Sequence, residues 1–194
     1  AAAKAELTPT GKLRAGINFQ NPLLTTLGPN GEQGGVALEF AHELARRLDV
    51  RLEIIPSKSA GALADAVTSG AWDISVLGDE PERAKVIAFA PPLTEIEATY
   101  LVPPGSPIRS IAEVDRAGVR IVSPAKSAFD LYLARTIKNA QLVQIAGTAA
   151  AQKHFVDEKL DALAGLRHAA ASRWTDPDAA VDGWPIRMAG HGLG

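Results

Sequence analysis

The residues best suited to chemistry in this chain are one arginine among acids and one small polar loop. Arg83 stands in Glu80-Pro81-Glu82-Arg83-Ala84. Its guanidinium is a rigid fork of donors that fits a planar carboxylate. By position alone it reads as a surface arginine paired with Glu80 or Glu82. Ser123, Ala125, Lys126 and Ser127 form a loop ahead of a helical pattern. A loop there offers N–H groups and hydroxyls to an anion, and equally supplies an ordinary serine N-cap. Asn18, Phe19 and Asn21 follow the first strand pattern. Their plain reading is two turn-forming asparagines and a core phenylalanine. His42, His154, His168 and His191 are scattered, with no two at metal-ligand spacing. The chain has no cysteine, so thiol catalysis, thiolate metal sites and disulfides are excluded. It also has no Gly-x-Ser-x-Gly elbow, phosphate-binding loop or dinucleotide fingerprint.

The elements that must position these residues alternate regularly. Lys12 to Ile17 reads as a strand, followed by an Asn/Pro/Gly-rich loop from Asn18 to Gly35. Val36, Ala37, Phe40, Ala41, Leu44, Ala45 and Leu48 recur at helical spacing, and Asp49 ends that helix. Arg51 to Pro56 alternates as a strand, Ala60 to Ser69 reads as a helix closed by Gly70, and Trp72 to Leu77 is a third strand. Strand–helix–strand–helix–strand implies a parallel sheet with crossover helices. Ala98 to Val102 is another strand, and Pro103-Pro104-Gly105-Ser106-Pro107 breaks regular structure after it. The alternation then restarts, with a helix start at Ile111–Asp115, strands at 119–122, 141–145 and 160–164, and helices at 129–137 and 149–159. Ala169 to Trp174 reads as helical, and 176–178 and 182–185 are turn signals. No close internal repeat is evident. The expected organisation is a first lobe at 1–98, a hinge at 99–107, a second lobe at 108–170 and a return crossing or truncated tail at 171–194.

Composition narrows the function classes. With 194 residues, 46% hydrophobic and 22% charged, the chain can bury a real core. Its formal net charge of −2 supplies no basic excess for nucleic acid or an anionic membrane. Apolar runs such as Val86 to Leu93 are too short and proline-broken to span a bilayer. The start, Ala1-Ala2-Ala3-Lys4-Ala5-Glu6, reads as a mature end left after signal-peptide removal, or as an expression remnant.

Several phrases occur in a telling order. Gly11 to Ile17 is followed by Gly31-Glu32-Gln33-Gly34-Gly35-Val36, then Glu43 to Leu48, then Ala66-Val67-Thr68-Ser69-Gly70-Ala71-Trp72-Asp73. Glu80 to Ala84 precedes Ile87-Ala88-Phe89-Ala90-Pro91-Pro92, and Ser110 to Val114 and Phe155 to Ala162 come later. This ordered set resembles the amino-acid-type periplasmic solute-binding proteins, extracellular family 3, over about residues 11 to 166. The resemblance implies a two-lobed α/β fold of the type II periplasmic binding protein kind, with parallel-sheet lobes joined by a hinge and ligand in the cleft between them. It implies a periplasmic protein that binds an amino acid or related organic acid, with an ABC permease as partner and no cofactor. An enzyme on the same fold, cyclohexadienyl dehydratase-like, and a receptor's ligand-sensing domain are the alternatives.

The resemblance also assigns roles. Arg83 matches the arginine that grips the ligand's carboxylate. Leu77 and Gly78 match the strand end whose backbone meets the same group. The hydroxyl-bearing positions of the family are Val76 and Gly78 here, so only main-chain contacts survive. Phe19 matches an aromatic shelf, with Asn18 and Asn21 beside it. Ser123, Ala125, Lys126 and Ser127 match a Gly-Thr-type loop, from which Pro124 departs. The family's carboxylate for an α-ammonium falls at Leu166, which cannot supply one, so an acid lacking the amine fits better. Asp161 is expected at the turn into a strand, not at the ligand. The short C-terminal stretch leaves room for a dimer that covers the first lobe.

Overall fold

The computed structural model describes residues 2–167, and the backbone alone of 184–188 and 191–192. The readings at 169–174, 176–178 and 182–183 lie outside the described residues. The chain divides into two units, Ala1–Thr94 with Arg187–Gly194, and Glu95–Ile186.

The first unit opens with α1 (Ala2–Leu7) and β1 (Lys12–Asn18). A hairpin of β2 (Thr26–Leu27) and β3 (Gln33–Gly34) leads into α2 (Val36–Leu48), then β4 (Arg51–Ser57). Gly35, at φ 102, starts α2 because any Cβ there would lie 2.6 Å from the Leu24 carbonyl oxygen. Asp49 closes α2 in the left-handed conformation. Ser59 caps α3 (Ala60–Asp65), accepting from the Ala62 N–H at 3.0 Å. A 3-10 turn at Ala66–Ser69 ends on Gly70 at φ 63, and β5 (Ile74–Ser75) follows. β1 pairs in parallel with both β4 and β5, as the alternation predicts. Leu63, Val67, Trp72, Leu77 and Ile87 form a core against this sheet. A 3-10 turn at Arg83–Lys85 precedes β6 (Ile87–Ala88).

The second unit begins with β7 (Thr94–Leu101) and contains a 3-10 turn (Ile111–Glu113), β8 (Arg120–Pro124) and α4 (Ala128–Thr136). β9 (Gln141–Ile145), α5 (Thr148–Asp157), β10 (Ala162–Leu166) and β11 (Trp184–Met188) follow. β8 pairs in parallel with β9 and β10, while β7 runs antiparallel to β10 from Ala98 to Leu101. The strand assigned to a hinge by its proline-rich exit therefore sits whole in the second sheet, and the division falls at 94/95 instead of 98. Leu101, Val122, Ala151, Phe155, Leu160 and Leu163 form the second core. β12 (His191–Gly192) runs antiparallel between β5 and β6, giving the first sheet the order β4-β1-β5-β12-β6. The tail from Arg187 thus returns to the first unit.

One arrangement appears in both units. In the first, Asp73 Oδ2 accepts from the Arg14 backbone N–H at 2.8 Å, and Asp73 Oδ1 from Arg14 Nη2 at 2.6 Å. Arg14 Nη1 reaches the Gly70 carbonyl, and the Asp73 N–H donates back to the Arg14 carbonyl. In the second, Asp161 accepts from the Arg120 N–H at 2.8 Å, Arg120 Nη2 reaches the Lys159 carbonyl, and the Asp161 N–H donates back. Gly70 and Lys159 are both left-handed. Each clasp ties the start of a strand to the residue before its parallel neighbour. Both units thus share this local solution, although the sequence shows no close internal repeat.

Candidate functional site

In the first unit, the chain leaving β5 passes through Val76, Leu77 and Gly78. Leu77 is 1% exposed and its side chain belongs to the core, so only its main chain can meet a ligand. The Gly78 carbonyl accepts from Arg83 Nη1 at 2.9 Å. Arg83 is not a surface residue: it is 4% exposed, and Glu80 beside it is 5% exposed. Glu82 instead pairs with Lys85 at 2.5 Å on the surface. Burial pulls the Arg83 guanidinium down to about 10, while Glu80 and Asp65 favour its charge. It stays protonated at neutral pH, as a buried cation whose charge a carboxylate would stabilise further.

The loop after β1 behaves as its asparagines dictate. Asn18 Oδ1 accepts from the Gln20 N–H and Asn21 Oδ1 from the Leu23 N–H, both at 3.1 Å, so each forms a turn. Thr25, 4% exposed, donates to the Asn18 and Asn21 carbonyls and fastens the loop. Phe19 is neither core nor fully exposed.

In the second unit, the loop after β8 spends the donors that the sequence offers to an anion. The Ala125 N–H donates to the Ile145 carbonyl at 2.8 Å, extending the β8–β9 ladder. The Ser127 N–H donates to the Pro124 carbonyl, and Ser127 Oγ caps α4 by accepting from the Asp130 N–H. The Lys126 N–H donates to Asp130 Oδ2 at 2.7 Å, with Lys126 held at φ 59. Ser123 is fully buried. Pro124, which departs from the Gly-Thr-type pattern of the resemblance, is the last residue of β8, and its carbonyl accepts from the Ser127 N–H.

Asp130 is the residue that the sequence reading missed. It is 0% exposed, and its Oδ2 also accepts from Gln144 Nε2 at 2.8 Å. A serine N-cap followed three residues later by an acid, Ser127-x-x-Asp130, is the available signal, and it marks a helix start before it marks a site. Leu166 pairs with Ala98 in the β7–β10 register. Asp161 sits in its clasp with Arg120, as expected of a strand-start residue. Among the described residues, no group of three His, Asp or Glu side chains could hold a metal, and no helix is long and apolar enough to cross a membrane.

The two units, each with parallel strand pairing, superimpose on solved structures of the type II periplasmic binding protein fold. The ancestral amino acid-binding protein AncCDT-1, a precursor of cyclohexadienyl dehydratase, superimposes with TM-score 0.78 at 22% identity, covering 98% of this chain and 85% of that one. The holo ArgBP from T. maritima gives 0.77 at 19% identity, over 96% and 84%. The solute receptor for L-cysteine of Neisseria gonorrhoeae gives 0.79 at 21% identity, over 98% and 80%. None of the curated proteins compared with the chain matches it. Residues 13–171 match the bacterial extracellular solute-binding proteins, family 3, and the chain belongs to that family.

Proposed function

We propose that this protein captures a small carboxylate-bearing solute, an amino acid or related organic acid, in the periplasm and delivers it to an ABC permease. Membership of an extracellular solute-binding family over residues 13–171 supports the class of activity and the compartment. Neighbours described as an ancestral amino acid-binding protein, an arginine-bound ArgBP and a solute receptor for L-cysteine support the solute class.

The observation that carries the reading is Arg83, a cation at 4% exposure whose fork is steadied by the Gly78 carbonyl. Such a group is preorganised for a planar carboxylate, because little side-chain freedom remains to be lost on binding. Main-chain groups at Leu77 and Gly78, and the Asn18–Asn21 loop with Phe19, complete the first unit's contribution. The second unit's loop contributes less than its sequence promises, since the N–H groups of Ala125, Lys126 and Ser127 already have acceptors. The dehydratase reading needs an acid to protonate a leaving hydroxyl, and the resemblance looks for one at Leu166.

Titration calorimetry against amino acids and their deaminated counterparts tests the reading. Arg83→Ala should weaken binding of any carboxylate solute by about 2–5 kcal/mol, the scale for truncating one side of a buried charge pair. Arg83→Lys, which keeps the charge and loses the fork, should fall between. Full affinity in a folded Arg83→Ala protein would remove the anchor.

A further inference from the structure

The β2–β3 hairpin carries a reactive pair that the solute site does not use. Of the four asparagines in the chain, Asn30 alone is followed by glycine. Both Asn30 and Gly31 are exposed, and the space where a Gly31 side chain would stand is open. The amide carbon of such an asparagine has a nucleophile next to it, the main-chain nitrogen of the following residue, with no side chain to hinder the approach.

Two main-chain bonds close the turn. The Gly31 N–H donates to the Gly28 carbonyl at 2.9 Å, and the Gly28 N–H donates to the Glu32 carbonyl at 2.7 Å. Pro29 and Asn30 are the central residues, and Gly31 follows at φ 87. Glu32 folds its side chain back over the turn. Its Oε1 accepts from Asn30 Nδ2 at 3.0 Å, and its Oε2 from the Asn30 N–H at 3.1 Å. It lies so close that a Cβ at Gly28 would collide with Oε2. The Asn30 amide foremost, and then the main-chain N–H groups of Glu32 and Asn30, hold the Glu32 carboxyl below its ordinary value of 4.5. It is therefore charged at neutral pH.

Deamidation at this pair needs only water. The Gly31 nitrogen loses its proton to hydroxide and attacks Asn30 Cγ. The N–Cγ bond forms, and the Cγ–Nδ2 bond breaks as Nδ2 takes a proton from water and leaves as ammonia. A second water opens the five-membered imide at either carbonyl, giving aspartate or isoaspartate. The net change is one water in and one ammonia out. The fold opposes each part. Deprotonation gives up the bond to the Gly28 carbonyl, and departure of Nδ2 gives up its bond to Glu32. The Glu32 charge also disfavours negative charge on the attacking nitrogen and on Asn30 Oδ1.

We propose that Asn30-Gly31 is a self-modification site for deamidation, latched shut by the Glu32 carboxylate. Either product loses the latch. Aspartate sets a second carboxylate beside Glu32, and isoaspartate inserts a methylene into the main chain of the turn. The chemistry requires no solute, so it stands apart from the receptor function.

The test is ageing of the whole chain in mildly alkaline buffer, native and in urea, followed by peptide mass spectrometry. Deamidation exchanges an amide for a carboxyl, raises the mass of the peptide carrying Asn30 and splits it into aspartate and isoaspartate forms. The peptide carrying Asn139, which precedes alanine, is the internal reference. Glu32→Ala should speed the native reaction by about three- to tenfold, the scale of one lost hydrogen bond. Glu32→Gln, which keeps an acceptor without the charge, should fall between. Wild type should react faster in urea than when folded. If Glu32→Ala fails to fold, Glu32→Gln decides. A native rate unchanged or slower in the folded Glu32 variants overturns the latch. A wild-type rate no faster in urea than in the fold overturns the fold's control of the reaction. Absence of any mass gain at Asn30, even in urea, removes the site.

Discussion

Gly16 owes its place in β1 to the two side chains beside it. A Cβ there would lie 2.6 Å from Leu63 Cδ1 and 2.9 Å from Trp72 Cγ. Trp72 cannot yield, because it is 2% exposed and its indole N–H is fixed to the Leu63 carbonyl at 2.8 Å. Gly16→Ala should therefore destabilise the fold by about 1–3 kcal/mol, the usual cost of overpacking. Urea denaturation giving a midpoint equal to wild type would mean that Leu63 and Trp72 repack without penalty. At this scale the sequence was legible where a residue type has one dominant use. Asn18 and Asn21 make turns, Ser127 caps a helix, and Asp161 stays at its strand start. It was illegible where burial decides. Nothing in the Glu80-Pro81-Glu82-Arg83 string distinguishes a buried arginine from a surface one, although the structure leaves Arg83 4% exposed. Asp130 was missed for the same reason: an acid in the first turn of a helix looks like a favourable surface charge.

Among elements, the helices α2 and α4 and the strands β1, β4 and β9 lie within one or two residues of their sequence readings, since each carries a clear period. Elements without a period escaped. The β2–β3 hairpin has only two residues per strand, and its Asn30-Gly31 turn was absorbed into a long loop. β5 is shorter than its apolar run, with regular pairing confined to Ile74–Ser75. The approach to β9 depends on one carboxylate. Asp115 accepts from the N–H groups of Lys138, Asn139 and Ala140. These backbone donors, Ala140 foremost and then Asn139, hold its carboxyl below the ordinary value of 3.8. A carboxyl depressed in the fold contributes stability above its unfolded pKa and loses it as pH falls through the folded one. Asp115→Asn should therefore be most destabilising near pH 7, with the gap to wild type narrowing below about pH 4. Denaturation at pH 7 and pH 3 showing a constant gap would show that charge at Asp115 is irrelevant.

For the molecule as a whole, the chain crosses between units twice, at 94/95 and at 186/187. The second crossing brings β12 between β5 and β6, which otherwise have no mutual pairing in the sheet order. Removing 189–194, which takes β12 and spares β11, should leave β6 detached and β5 with a bare edge. Amide hydrogen exchange should then accelerate at Ile74 and Ile87, while Ile121 and Leu163 in the second unit keep their protection. Uniform acceleration in both units would show that they unfold as one. Sequence foresaw two α/β lobes but misplaced the crossing, because proline and glycine at 103–107 mark where a strand ends, not the sheet to which it belongs.

The paired clasps offer an independent dial on folding. Arg14 lies near the start of β1 and Asp73 just ahead of β5, whereas Asn18 and Gly78 lie at or beyond the far ends of those strands. The Asp73 side chain is 4% exposed and that of Asp161 38%, so Asp73→Ala should cost about 2–3 kcal/mol and Asp161→Ala about 1 kcal/mol or less. Neither change touches a residue assigned to the solute. In such variants the apparent affinity for any ligand falls only by the fraction of molecules still folded, so a ligand that binds the folded chain would restore in solution the stability that a weakened clasp loses.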